Sequence, residues 1–161
     1  MAILNTAELT SYITVGDEKI QITTNSNTHR ANVLTTDIEI VKTASKPSGL
    51  PKSVITVSTQ ITNNTDLDLT KLHYADSLTN ASFVEGTLKI GSELHEDLNP
   101  SGFDMPVTLG GSGADLTVSY DIMIDEVPQA NVVTTQTTLQ VQVDEASFDL
   151  NSNQLEINII D

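Results

Sequence analysis

The stretch LTVSYDIMI, residues 116–124, decides the fold. Leu116, Val118, Tyr120, Ile122 and Ile124 alternate without a break against Thr117, Ser119, Asp121 and Met123. A period of two belongs to a strand, whose side chains point alternately to opposite faces of a sheet. An amphipathic helix would instead repeat about every 3.6 residues. The same alternation returns in VITVSTQI (54–61), where Ile55, Val57 and Ile61 oppose Thr56, Ser58 and Gln60. It recurs in LQVQV (139–143) and LEINIID (155–161), with shorter traces at Ile20 and Ile22 and at Ile38 and Ile40. Between these runs lie VGDEK, KPSGLPK, NNTD, NPSG, GGSG and NSNQ, clusters of turn-forming residues. SELHEDL (92–98) reads as one short helical turn; no longer amphipathic helix is expected. Short, regularly spaced strands predict an all-β fold, an antiparallel β-sandwich.

The totals bound the function. At 161 residues the chain fits one domain with extra terminal strands. It has no Cys, so neither disulfides nor thiolate metal sites hold it together. Its 22 acidic and 7 basic residues give a net charge of −15, which repels nucleic acid and anionic membranes. Aromatics at 4% argue against a base- or sugar-stacking cleft. No apolar run approaches the roughly 20 residues of a membrane helix, so no membrane insertion is expected. The opening MAILNTAELTSYITV shows no charged leader and no small-residue cleavage site, hence no recognisable Sec signal.

From residue 38 to about 143 the order of features is specific. IEIVKTAS (38–45) is followed by VITVSTQITNNTDLDLTKLHYADSL (54–78), ASFVEGTLKI (81–90) and VTLGGSGADLTVSYDIMI (107–124). This resembles the conserved-repeat domain (domain of unknown function eleven) of bacterial and archaeal surface proteins. The matching residues are Lys42 and Thr43, Asn63 and Asn64, Asp76 and Leu78, Phe83, Val84 and Gly86, and Leu116 through Tyr120. The family's Pro after Asp-x-Leu is replaced by Thr79. The resemblance implies an immunoglobulin-like sandwich used structurally in stalks, surface layers and fibres, with no catalytic residues.

Repeats of this family close with an Asn-x-Ala-x-Val strand. ANVVTTQTTLQVQV (130–143) resembles that strand, and so does NTAELTSYITV (5–15), ahead of the first repeat. Residues 1–36 therefore read as an N-terminal strand arm and 37–161 as the sandwich. Either the arm belongs to a preceding repeat of a larger protein, or it completes another copy of the same chain. In the second reading Ile3, Leu4, Leu9, Ile13 and Val15 form the assembly strand that enters a neighbour's apolar gap, because an unpaired strand recruits another.

Lys42 lies in phase with Ile38 and Ile40. Pointing inward, its amine would have a lowered pKa. In related Gram-positive surface domains such a Lys forms an isopeptide bond with an Asn. The candidates here are Asn131 and Asn158, with Asp76, Asp121 or Glu156 as the assisting acid. The preferred reading is a Lys at a strand end snorkelling to solvent. NNTDLD (63–68) lacks the Gly of a Ca²⁺ loop and reads as a self-bonded turn. GGSGAD lacks the Lys-Ser/Thr of a phosphate loop. His29, His73 and His95 show no ligand spacing. The sequons at Asn63 and Asn80 are chance matches in an Asn/Thr-rich chain.

The expectation is a non-enzymatic structural subunit without cofactor or metal. It would polymerise with itself, head to tail by strand addition, into a pilus-like extracellular or spore-surface fibre, with a surface anchor protein as a further partner. The alternative is an adhesive or stalk module of a larger surface protein, using the loops KPSGLPK (46–52) and HEDLNPSGFD (95–104).

Overall fold

The computed structural model describes residues 37–143 and 146–160 in full. It describes residues 2–5, 8–15, 18–25 and 29–32 by backbone pairing alone. The chain divides into two compact units, residues 1–36 and 37–161.

The first unit holds β1 (Ala2–Asn5), β2 (Glu8–Val15), β3 (Glu18–Asn25) and β4 (His29–Asn32). β2 pairs antiparallel with β3 from Val15↔Glu18 to Glu8↔Asn25, and β1 pairs with β4 from Asn5↔His29 to Ala2↔Asn32. The pairings nest, and the described residues of the arm form two ribbons of two strands each, β1 with β4 and β2 with β3.

The second unit is the sandwich. Its strands are β5 (Ile38–Ala44), β6 (Ser48–Gly49), β7 (Val54–Asn63), β8 (Lys71–Thr79), β9 (Ala81–Phe83) and β10 (Lys89–Ile90). There follow β11 (Glu93–Leu94), β12 (Phe103–Asp104), β13 (Ala114–Ile124), β14 (Val132–Val143), β15 (Ala146–Asn151) and β16 (Leu155–Ile159). One sheet runs β11-β10-β13-β7-β5, with β9 also on β13. The other runs β12-β8-β14-β16-β6, with β15 also on β14. This is an all-β, immunoglobulin-like sandwich. The long pairs are antiparallel, and only the two-residue β6–β16 contact is parallel.

The alternation read from the sequence sets the layers. Ile55, Val57, Ile61, Val118, Tyr120, Ile122 and Ile124 face inward from one sheet; Leu72, Tyr74, Val133, Leu139, Val141 and Ile157 face them from the other. Each fully buried aliphatic side chain contributes about 1.5–3 kcal/mol. Among the described residues there is no helix. SELHEDL turns instead: Gly91 (φ 61°) reverses the chain, Glu93–Leu94 pairs with β10, and the His95 amide donates to the Leu88 carbonyl. Sheet pairing there takes the backbone groups that a helical turn would use.

The sandwich has two poles. At the leading pole Asp37 precedes β5 beside the 64–68 and 110–113 turns. Asn63, fully buried, donates its amide to the carbonyls of Leu67 (2.8 Å) and Gly110 (2.9 Å), while its oxygen accepts from the Thr65 amide and hydroxyl. The two turns approach so closely that a Cβ on Gly111 would lie 2.8 Å from the Thr65 carbonyl. At the trailing pole residues 45–53 cross from one sheet to the other and back. Ser48 and Gly49 hook onto Asn158 and Ile159 of the last strand.

β15 and β16 are two halves of one strand along β14. Asn151 opposes Thr138 and Leu155 opposes Thr135, so residues 152–154 face only 136–137. That extra residue is a bulge, a device that redirects a side chain. Here it turns Asn153 toward β5.

Candidate functional site

Lys42 is 2% exposed, which corrects the expectation of a snorkelling side chain. The reason is a set of partners waiting in the core. Its Nζ donates to Asp76 Oδ2 at 2.6 Å, Thr137 Oγ1 at 3.1 Å and Thr59 Oγ1 at 3.3 Å. An ammonium has three donors, so all are used. The same nitrogen lies 5.4 Å from the centre of the Tyr120 ring.

Asp76 is the hub. Its Oδ2 also accepts from the hydroxyls of Tyr74 (2.6 Å) and Tyr120 (2.5 Å), and its Oδ1 accepts from Thr137 Oγ1 at 2.6 Å. Thr59 bonds Tyr74 and Thr137 in turn, at 3.0 and 2.9 Å. The Lys42 and Asp76 side chains are 0% and 2% exposed. Lys42, Thr59 and Tyr120 come from one sheet; Tyr74, Asp76 and Thr137 come from the other. The cluster therefore fastens the two layers through the core. Phe103 stacks on Tyr74 (5.1 Å between centroids) and Phe83 packs edge-on to Tyr120 (5.6 Å), closing it on both sides.

The main chain of Lys42 is held as well. Asn153 Oδ1 accepts from the Lys42 amide at 2.8 Å, and Asn153 Nδ2 donates to its carbonyl at 3.0 Å. One carboxamide thus stands where a neighbouring strand would, at the outer edge of β5. Burial lowers the pKa of the Lys42 amine from its ordinary value, and the charge of Asp76 pulls it back up. Burial first, and Asp76 second, raise both tyrosines far above the ordinary phenol range.

The structure brings Asp76 to Lys42 but neither Asn131 nor Asn158. Both asparagines are exposed, and Asn158 falls on the outward phase of β16. Of the other proposed acids, Asp121 accepts from Thr56 on the outer face and Glu156 is exposed beside Gln154. Ile3 and Leu4 lie on β1 and Leu9, Ile13 and Val15 on β2, paired within the ribbon; their side chains lie outside the described residues, as does His29.

His73 Nδ1 pairs with Asp104 at 2.7 Å, 46% and 91% exposed, beside an open depression of about 250 Å³. No group of three His, Asp or Glu gathers among the described residues. Asn63 is buried, and Asn80 Nδ2 donates to the Val132 carbonyl at 2.8 Å, so both sequon amides are occupied. The loops offered for adhesion are tied down at single points, β6 on β16 and the Pro100 carbonyl on the Asp76 amide, while most of their residues are exposed.

The fold defines an immunoglobulin-like β-sandwich in its broad class. The full-length major pilin SpaD of Corynebacterium diphtheriae is similar in fold over 75% of this chain, with a TM-score of 0.57 and 14% identity. The chain spans about a third of that pilin, 34% of its length. A second solved chain, from work on the manganese lipoxygenase of Gaeumannomyces graminis and zonadhesin of Komagataella pastoris, aligns over 95% of this chain and 55% of its own at 12% identity; its TM-score of 0.41 carries no argument. No family model matches the chain, and no curated protein matches it.

Three outcomes follow from the cluster. Asp76→Asn leaves a buried ammonium without its counter-charge and should cost about 3–5 kcal/mol in urea unfolding. Tyr120→Phe removes one donor of several and should cost about 1–3 kcal/mol. Equal losses would deny Asp76 its place as hub. The intact mass of the folded chain should equal that of the linear sequence. Loss of one ammonia would mean that Lys42 had reached an asparagine, and loss of one water that it had condensed with Asp76.

The third outcome is alkaline. Tyr74 and Tyr120 hold their protons in the folded state, whereas unfolded tyrosines release them near 10, so their contribution is intact below that pH and is lost above it. Lys42 acts with the opposite sign, its penalty easing as pH rises toward 10.5, but it is one group against two more strongly shifted ones. Stability should fall above pH 10, with the tyrosinate absorbance of Tyr74 and Tyr120 appearing only as the chain unfolds. Titration of both in the folded protein would contradict the burial.

Proposed function

We propose that the chain is a structural, non-enzymatic subunit that assembles with itself, head to tail, into a pilus-like fibre on a cell or spore surface. The observation that carries this reading is the N-terminal unit. Among its described residues the strands pair two by two, β1 with β4 and β2 with β3, so each shows one edge without a described partner within that unit. Isolated two-stranded ribbons are marginal in water, and open edges recruit further strands. Residues 2–32 would add to a neighbouring subunit, with Ile3, Leu4, Leu9, Ile13 and Val15 supplying the apolar contacts and the backbone the pairing. The shared fold with a pilin supports the same reading. A surface protein that anchors the fibre is the further partner.

The charge of −15 makes identical subunits repel, so assembly should strengthen as salt shortens the screening length to about 8–10 Å. Electron microscopy and sedimentation of the full chain should show filaments that lengthen with salt. Leu9→Asp with Ile13→Asp should abolish them while leaving the circular dichroism of the sandwich intact. A wild-type chain that stays monomeric at every concentration and salt would overturn the proposal.

A further inference from the structure

Resting on that head-to-tail reading, we infer that the trailing pole of the sandwich is the face that receives the N-terminal ribbon of the next copy. Five large apolar side chains are exposed near that pole: Leu50 (52% exposed), Val54 (49%), Met123 (44%), Val127 (76%) and Ile160 (49%). Their backbones are joined. Met123 and Val54 are cross-strand partners. The Ile160 amide donates to the Gly49 carbonyl, next to Leu50, and the Ser53 amide, next to Val54, donates to the Leu50 carbonyl. Lys52, in the same turn, pairs with Glu126, next to Val127. Exposed apolar side chains concentrated at one pole mark that pole as a contact face.

Charge selects the occupant. Of the 22 acidic and 7 basic residues, Glu8, Asp17 and Glu18 and Lys19 and Arg30 fall in residues 1–36, leaving 19 and 5 in residues 37–161; the nets are −1 and −14. The ribbon is therefore almost neutral on a chain that is otherwise strongly acidic. At the trailing pole Lys46 and Lys52 offset Asp125 and Glu126, with Asp121 one outward position before Met123. The leading pole carries Asp37, Asp66, Asp68 and Asp115 against Lys71. The ribbon and the trailing pole thus meet with less like-charge repulsion than the ribbon would find at the leading pole.

Connectivity sets the direction. Asp37, where the sandwich begins, lies at the leading pole, and the receiving face lies at the other end. Such a contact joins unlike surfaces, so each new copy offers a fresh ribbon and a fresh face, and the chain of copies stays open.

The test uses two full-length variants, Val127→Asp at the face and Ile13→Asp in the ribbon. Each alone should sediment as a monomer under conditions where the wild type forms filaments. Their equimolar mixture should give a one-to-one dimer and nothing larger, since one sound ribbon meets one sound face. Leu50→Lys should repeat the Val127→Asp result, and unchanged circular dichroism and melting of both should exclude misfolding. Wild-type filaments from Val127→Asp and Leu50→Lys would overturn the assignment of this face while leaving ribbon-driven assembly standing. A monomeric wild type would remove the assembly reading itself.

Discussion

The sandwich is organised around one charge that has no access to water. A lone ammonium in an apolar core is prohibitive, so the position of Lys42 is tolerable only with Asp76 opposite it and hydroxyls around both. That requirement reaches into five strands. β5 must present Lys42 inward, β8 must present Asp76 and Tyr74 to it, and β7, β13 and β14 must bring Thr59, Tyr120 and Thr137 into register. A slip of β5 by one residue would turn Lys42 to solvent and Val41 into the core. Compared with a well-packed hydrophobic pair, the ion pair need not add stability. What it enforces is which residues of the two sheets face each other.

The second hold on Lys42 follows from the first. β5 is the outermost strand of its sheet, and its outward backbone groups are open to pairing. The bulge at residues 152–154 spends one residue of the last strand to aim Asn153 at that edge, at the residue whose side chain is already committed inward. The first strand of the sandwich is therefore held twice at one residue, by its main chain to Asn153 on the outside and by its side chain to Asp76 within.

Most of the fold was legible because alternation is a local signal. Residues 116–124 and 54–61 carry their inward and outward faces in their own order, and the structure buries the inward set. The cluster was harder to read, since the partners of Lys42 lie 17 to 95 residues away. A trace was nevertheless present. Asp76 is in phase with Leu72 and Tyr74, Thr59 with Ile55 and Val57, and Thr137 with Leu139 and Val141. One inward cation and one inward anion on separate strands, with inward threonines on two more, is the pattern of a buried pair. Asn153 left no such trace, because NSNQ reads as a turn and its use depends on a one-residue mismatch between distant strands. In the arm, VGDEK reads as punctuation, and within it Val15 pairs with Glu18.

The placement of β5 also governs how the domain would respond to tension. Its chain enters at the leading pole and the last strand runs to the trailing pole, so a pull between the poles drags β5 and β16 past each other along their lengths. The seven paired residues of β5 and β7 then share the strain together instead of opening one at a time like a zip. The ion pair and the Asn153 carboxamide sit across the plane of sliding. Slippage must strip water-free bonds before any strand moves, which gives the domain the mechanics of a bolted lap joint.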